Sequence, residues 1–113
     1  MIAKEIRISR KKDFDRILKS KSKFYSNNFI LRFSKNELSK SRFCVVVSKK
    51  ISKRAVDRNR IRRRTYEALR LNYDKIKPGF DFMIFAKLSV LKLSYSDIEK
   101  DLLYIFKKAK AMQ

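Results

Sequence analysis

Between Lys49 and Arg70 the chain places ten Lys or Arg (Lys49, Lys50, Lys53, Arg54, Arg58, Arg60, Arg62, Arg63, Arg64 and Arg70) against two acids, Asp57 and Glu67. The chemistry open to such a segment is the binding of a polyanion. Guanidinium forks bond phosphate oxygens bidentately and stack on bases, while lysines supply point charges. Cations at this spacing repel one another unless a partner neutralises them. Asn59 sits between two of the arginines. Its amide is either simply solvated, or it orients a neighbouring side chain or bonds RNA directly.

Other chemistries find little support. The sequence has no His, which removes a His general base, a His-bearing zinc site and a Ser-His pair. With Gly79 the sole glycine, a Gly-rich phosphate loop cannot be built. The eleven acids are scattered without the spacing of a two-metal nuclease centre. Asp97, Glu99 and Asp101 read as charges that complement a helix dipole, with a metal site as the sharper alternative. Cys44, inside Phe43-Cys44-Val45-Val46-Val47, reads as a buried structural thiol, and a lone cysteine forms no intramolecular disulfide. The chain therefore reads as a binder without an active site of its own.

Length and composition bound the partner. The 113 residues carry a net charge of +20, yet 44% are apolar, including nine Phe and five Tyr, so a core is available. Residues 1–113 are expected to form a single RNA-binding domain. No apolar run is long enough to span a bilayer, and Lys4, Glu5 and Arg7 interrupt the place of a signal-peptide core, so a cytoplasmic location is expected. A membrane-surface helix would need a wide apolar face. The basic segment has only a narrow stripe, which favours nucleic acid over lipid and over any small-molecule substrate.

Elements that could position this segment follow from periodicity. Phe14, Ile17 and Leu18 predict a short helix over Arg10–Lys19 with Ser9 as a possible cap. A brief strand at Phe24-Tyr25 and an alternating strand from Phe29 to Phe33 come next, then a polar turn from Ser34 to Ser41. Phe43–Ser48 reads as a strand covered on both faces. The basic helix, Val56–Leu71, has Ile61, Thr65, Ala68 and Leu69 as its docking stripe. Asn59, Arg63, Tyr66 and Arg70 gather on a second side, among the presented residues. Lys77-Pro78-Gly79-Phe80 suits a type II turn before a last strand at Phe82–Ala86. Ile98, Leu102, Ile105 and Ala109 define a closing helix, with Ser96 and Glu99 at capping-box spacing. A strand, helix and strand between residues 43 and 86 imply a parallel pair.

Lys49-Lys50, Arg54-Ala55, Arg58-Asn59-Arg60-Ile61-Arg62-Arg63, Glu67-Ala68 and Arg70 resemble the signature of the bacterial ribonuclease P protein subunit. Asp13-Phe14, Val47-Ser48-Lys49-Lys50 and Asp81-Phe82-Met83-Ile84-Phe85-Ala86-Lys87 extend the resemblance over nearly the whole chain. It implies an α+β fold, a small α/β sandwich in the order helix, strands, basic helix, strand, helix. The resemblance also implies a left-handed crossover between the parallel strands, against the general rule. Its function would be to bind a catalytic RNA and the 5′ leader of precursor tRNA, assisting endonucleolytic removal of that leader. Cleavage would then belong to Mg2+ held mainly by the RNA.

Carried over by position, the resemblance makes Lys49, Lys50, Lys53, Arg54, Arg58, Asn59, Arg60, Arg62, Arg63 and Arg70 the RNA contacts. It places Phe14, Leu18 and Arg32 in the leader cleft. Leu18 and Arg32 stand where some relatives have aromatics, so Arg32 would supply charge or guanidinium stacking instead. Phe14 equally fits a core role by its spacing with Ile17 and Leu18. Tyr66 departs from the Arg common in the family. A structural RNA-binding protein of the ribosomal type, with no part in cleavage, remains the rival reading.

Overall fold

The structure, a computed structural model, describes residues 4–113. Three α-helices and four strands follow in the order α1 (Lys11–Lys19), β1 (Lys23–Tyr25), β2 (Phe29–Lys35), β3 (Arg42–Val46), α2 (Ala55–Leu71), β4 (Phe80–Ala86) and α3 (Tyr95–Lys108), with short 3-10 turns between some of them. The strands form one mixed sheet in the order β1-β2-β4-β3. The β2–β4 pair is antiparallel, while β3 and β4, joined through α2, run parallel.

The period-2 alternation decides which side chains meet which helices. Phe29, Leu31, Phe43, Val45, Phe82 and Ile84 face α2 and α3 and are buried with Ile61, Leu69, Ile98 and Phe106. Phe43 and Phe82 stack with their ring centroids 5.7 Å apart, and Phe106 meets Phe82 edge-on at 4.9 Å. The opposite face carries a smaller cluster of Ile8, Ile17 and Met83, with Phe14, Cys44, Val46 and Phe85 packed against it at partial burial. There α1 lies on the sheet.

Four sequence expectations are corrected. Tyr66 is not on the presented side of the basic helix: it is buried, and its Oη accepts the Val45 N–H at 3.0 Å. The outer edge of β3 otherwise leaves that donor unpaired, and a phenol at this height of α2 reaches it. Ser9 does not cap α1, because Ile8 N–H bonds Phe43 O at 2.9 Å and holds this entry extended, so the cap position falls on Arg10. The capping box of α3 is Ser94 with Asp97, two residues earlier than Ser96 with Glu99, and Ser96 lies inside the first turn. Finally, β3 leaves the ladder after Val46, although Val47 stays buried. Gly79 takes φ +87, the left-handed value that its place after Pro78 requires.

A charged lock closes the end of the sheet where β3 and β4 begin. Asp81, fully buried, accepts Arg42 Nε at 2.8 Å and Nη2 at 2.6 Å, Asn36 Nδ2 at 2.9 Å, and Arg16 from α1. Asp13 adds ion pairs to Arg16 at 3.5 Å and Arg42 at 3.4 Å. Hydrogen bonding to Asp81 raises the pKa of Arg42 further above its ordinary value. Every buried charge here has a partner, as burial demands.

Candidate nucleic-acid interface

The basic helix is held by one side. Ile61, Thr65, Ala68 and Leu69 are buried against the sheet and α3, as their spacing predicts, and Tyr66 pins the flank to β3. The remaining circumference stays accessible. Lys49, Lys50, Lys53, Arg54, Asn59, Arg63 and Arg70 are exposed, while Arg58, Arg60 and Arg62 are half-buried.

The junction between the basic loop and α2 is organised by Ser52. Its Oγ donates to Asp57 Oδ2 at 3.0 Å and accepts the Arg54 N–H at 3.2 Å, and its carbonyl accepts Arg58 Nη1 at 2.8 Å. Asp57 lies in the first helical turn, where a negative charge favours the dipole, and within 3.9 Å of Arg54 and 3.8 Å of Arg60. The loop lysines are thereby presented from a fixed turn.

The arginines differ in how far the fold engages them. Asn59 Oδ1 accepts a hydrogen bond from Arg62, so among its possible roles the amide orients a neighbouring guanidinium. Arg70 pairs with Glu67 at 2.5 and 3.1 Å, and this bond holds the Glu67 carboxyl below its usual range. Arg64, absent from the carried-over contacts, donates to Leu93 O at 3.2 Å and ties α2 to the entry of α3. Lys49, Lys50, Lys53 and Arg63 form no ion pair among the described residues. Arg60, Arg63, Arg64, Glu67 and Tyr95 line a cavity of about 440 Å³ between α2 and the start of α3. Arg64 was marked only as one cation of the basic segment and Tyr95 not at all; nothing local to either residue reports that the two helices meet there.

The residues assigned to a cleft lie on the other face of the sheet. Phe14 is half-buried against the small cluster, as its spacing with Ile17 suits, and Leu18 is exposed. Arg32 is held by the end of α1. Its Nη2 donates to Leu18 O at 2.6 Å and Ser20 O at 3.1 Å, closing the C-terminal carbonyls of α1. Beyond α1 the sheet stays partly open. Val46, Phe85 and Ile30 stand in register there on neighbouring strands, each partly exposed. Val46 and Phe85 lie within the continuous apolar runs Phe43–Val47 and Phe82–Ala86, which were the available signal for this floor.

Cys44, expected to be buried, is only partly so, and this burial pushes its thiol above its usual range. Among the described residues no group of three or more His, Cys, Asp or Glu could hold a metal ion. Asp13, Asp57 and Asp81 are instead engaged by arginines. Among the described residues no helix is long and apolar enough to cross a membrane.

Comparisons with known proteins agree with this geometry. The family model described as Ribonuclease P matches residues 2–110. The ribonuclease P protein component of Fusobacterium nucleatum is 41% identical over 102 residues, spanning 87% of this chain and 91% of the relative. That of a Clostridium botulinum strain is 40% identical over 108 residues, spanning 94% and 96%. Among solved structures, a Staphylococcus aureus RNase P protein mutant with defective mRNA degradation activity superposes with a TM-score of 0.88 at 28% identity, covering 96% of this chain and 91% of that one. The Thermotoga maritima RNase P protein gives 0.82 at 26% identity, covering 90% and 96%.

Proposed function

Because the chain belongs to the ribonuclease P protein family, as the protein component of a ribonuclease, we propose that it binds the catalytic RNA through its basic loop and α2 and receives the 5′ leader of precursor tRNA on the α1 face of the sheet. The observation that carries this reading is the one-sided anchoring of α2. A single apolar stripe and Tyr66 hold the helix, and the cationic groups from Lys49 to Arg70 stay on its accessible surface. Arg58, Arg60, Arg62 and Arg63, with Lys49, Lys50, Lys53 and Arg54 before them, would neutralise RNA phosphates and release their counterions. Asn59 would act by aiming Arg62.

The leader would lie over Phe14, Phe85, Val46 and Ile30, where rings and apolar side chains accept any unpaired base by stacking and contact. Arg32 would contribute by fixing the end of α1 beside Leu18. The protein's part in catalysis is positioning and charge screening. The chain would supply neither the general base nor the magnesium ligands: it has no His, and Asp13, Asp57 and Asp81 are engaged by arginines. The magnesium ions that support cleavage would be held by the RNA. Such an assembly would work in the cytoplasm, where precursor tRNA is processed.

Reconstitution at low magnesium tests the reading. Added to the catalytic RNA and precursor tRNA, the protein is expected to raise both substrate affinity and the rate of leader removal. Recovery with ribosomal subunits and no gain in cleavage would assign it to the ribosomal class instead. Metal-dependent cleavage by RNA-free protein would place the active site on the polypeptide.

A further inference from the structure

The apolar row on the α1 face does not stop at Ile30. Tyr25 is the registered partner of Ile30, so Val46, Phe85, Ile30 and Tyr25 form one line across all four strands, from β3 where α2 docks to the far edge at β1. At about 4.8 Å per strand spacing the line is roughly 14 Å long. It ends on an exposed aromatic, for Tyr25 is 47% exposed, and Tyr25 and Tyr104 of α3, 55% exposed, line a second cavity, also of about 440 Å³.

Both rings carry a cation. Lys23 Nζ lies 5.4 Å from the Tyr25 ring centroid and Lys108 Nζ 6.0 Å from that of Tyr104. Lys108 also donates to Tyr25 O at 3.0 Å, which ties α3 to the edge strand. The one acid in the cavity, Asp101, is turned into the β1–β2 connection, accepting Ser26 Oγ at 2.5 Å and Asn28 N–H at 3.1 Å. Two exposed tyrosines with adjacent ammonium groups match the chemistry of unpaired RNA, whose bases stack on rings and whose phosphates seek cations.

We infer that the β1 edge is a second contact for single-stranded RNA, at which leader nucleotides beyond those over Phe85 stack on Tyr25 and Tyr104 while Lys23 and Lys108 meet their phosphates. The inference rests on the proposal that the leader crosses this face. It explains how a chain with Leu18 and Arg32 near the cleft, in place of aromatics, retains ring stacking along the same strand of RNA.

The test uses the holoenzyme reconstituted with catalytic RNA and precursor tRNAs whose leaders are shortened stepwise. With the unaltered protein, affinity is expected to rise with leader length until the leader reaches the β1 edge. Tyr25→Ala with Tyr104→Ala is expected to remove the last part of that rise, roughly tenfold for each ring, and to leave short-leader substrates unaffected. Tyr25→Phe with Tyr104→Phe keeps the rings and is expected to keep the rise. Thermal unfolding of each variant is followed in parallel. Tyr104→Ala alone, on a helix that tolerates Ala, carries the same expectation should the edge strand be disturbed. An unaltered length dependence in the Ala variants overturns the inference and leaves the leader reading standing. Loss of the rise in the Phe variants overturns ring stacking as its basis. No length dependence in the unaltered protein overturns both readings.

Discussion

Tyr66 Oη on α2 accepts the backbone N–H of Val45 on β3 at 3.0 Å, joining the helix that bears the arginines to the outer edge of the sheet. Tyr66→Phe leaves that donor without a partner and is expected to cost about 1–3 kcal/mol in denaturant unfolding. Burial raises the Tyr66 pKa above its ordinary value. An acid whose folded pKa is raised contributes stability in full below the unfolded pKa, about 10, and loses it as pH rises through the folded pKa. The stability gap between the unaltered protein and Tyr66→Phe should therefore shrink above about pH 10. A gap that widens there would contradict the assignment.

Asp81 gathers Arg16, Arg42 and Asn36 from three other parts of the chain. Asp81→Ala leaves the largely buried Arg42 guanidinium with only the longer Asp13 pair at 3.4 Å, and the expected loss in chemical denaturation is about 3 kcal/mol. Glu67→Ala removes a pair exposed on the helix surface, and its effect on stability should be within experimental error.

Ser94 and Ser96 separate a cap from a helical position. Ser94→Ala should destabilise the protein by about 1 kcal/mol, because Asp97 N–H loses its acceptor. Ser96→Ala is expected to be neutral or slightly stabilising in the same melts, since Ala is the better helix former.

RNA affinity should fall steeply with salt, and Arg58→Ala with Arg60→Ala should flatten the log–log slope by up to about 2. Filter binding to the catalytic RNA over a salt series measures both. Arg58 also braces Ser52 O, so a modest stability loss of about 1 kcal/mol is expected alongside. An unchanged slope with reduced folding would make these two arginines structural.

Much of the architecture was legible because it rests on local periodicity. Ile61, Thr65, Ala68 and Leu69 mark the buried side of α2 by spacing alone, and Ile98, Leu102 and Ile105 do so for α3. The misreadings share a different cause. Tyr66 falls on the polar side of a helical wheel, yet its length lets it reach a β-edge donor that no sequence window contains. Ser94 and Ser96 both have an acid three residues on, and only the backbone's turn into the helix selects Ser94.

By itself the sequence determined a charge of +20, the absence of His, and the place and buried stripe of the basic helix. These are sums and periods, which survive without knowledge of distant contacts. The tertiary structure decided which cations the fold engages: Arg42 and Arg16 by Asp81, Arg32 by the end of α1, Arg64 by Leu93 O. It also aligned Val46, Phe85, Ile30 and Tyr25 across four strands. A polar group's role depends on whether water or a protein partner satisfies it, and an aligned face depends on strand register. Both are fixed only when residues far apart in the chain are brought together.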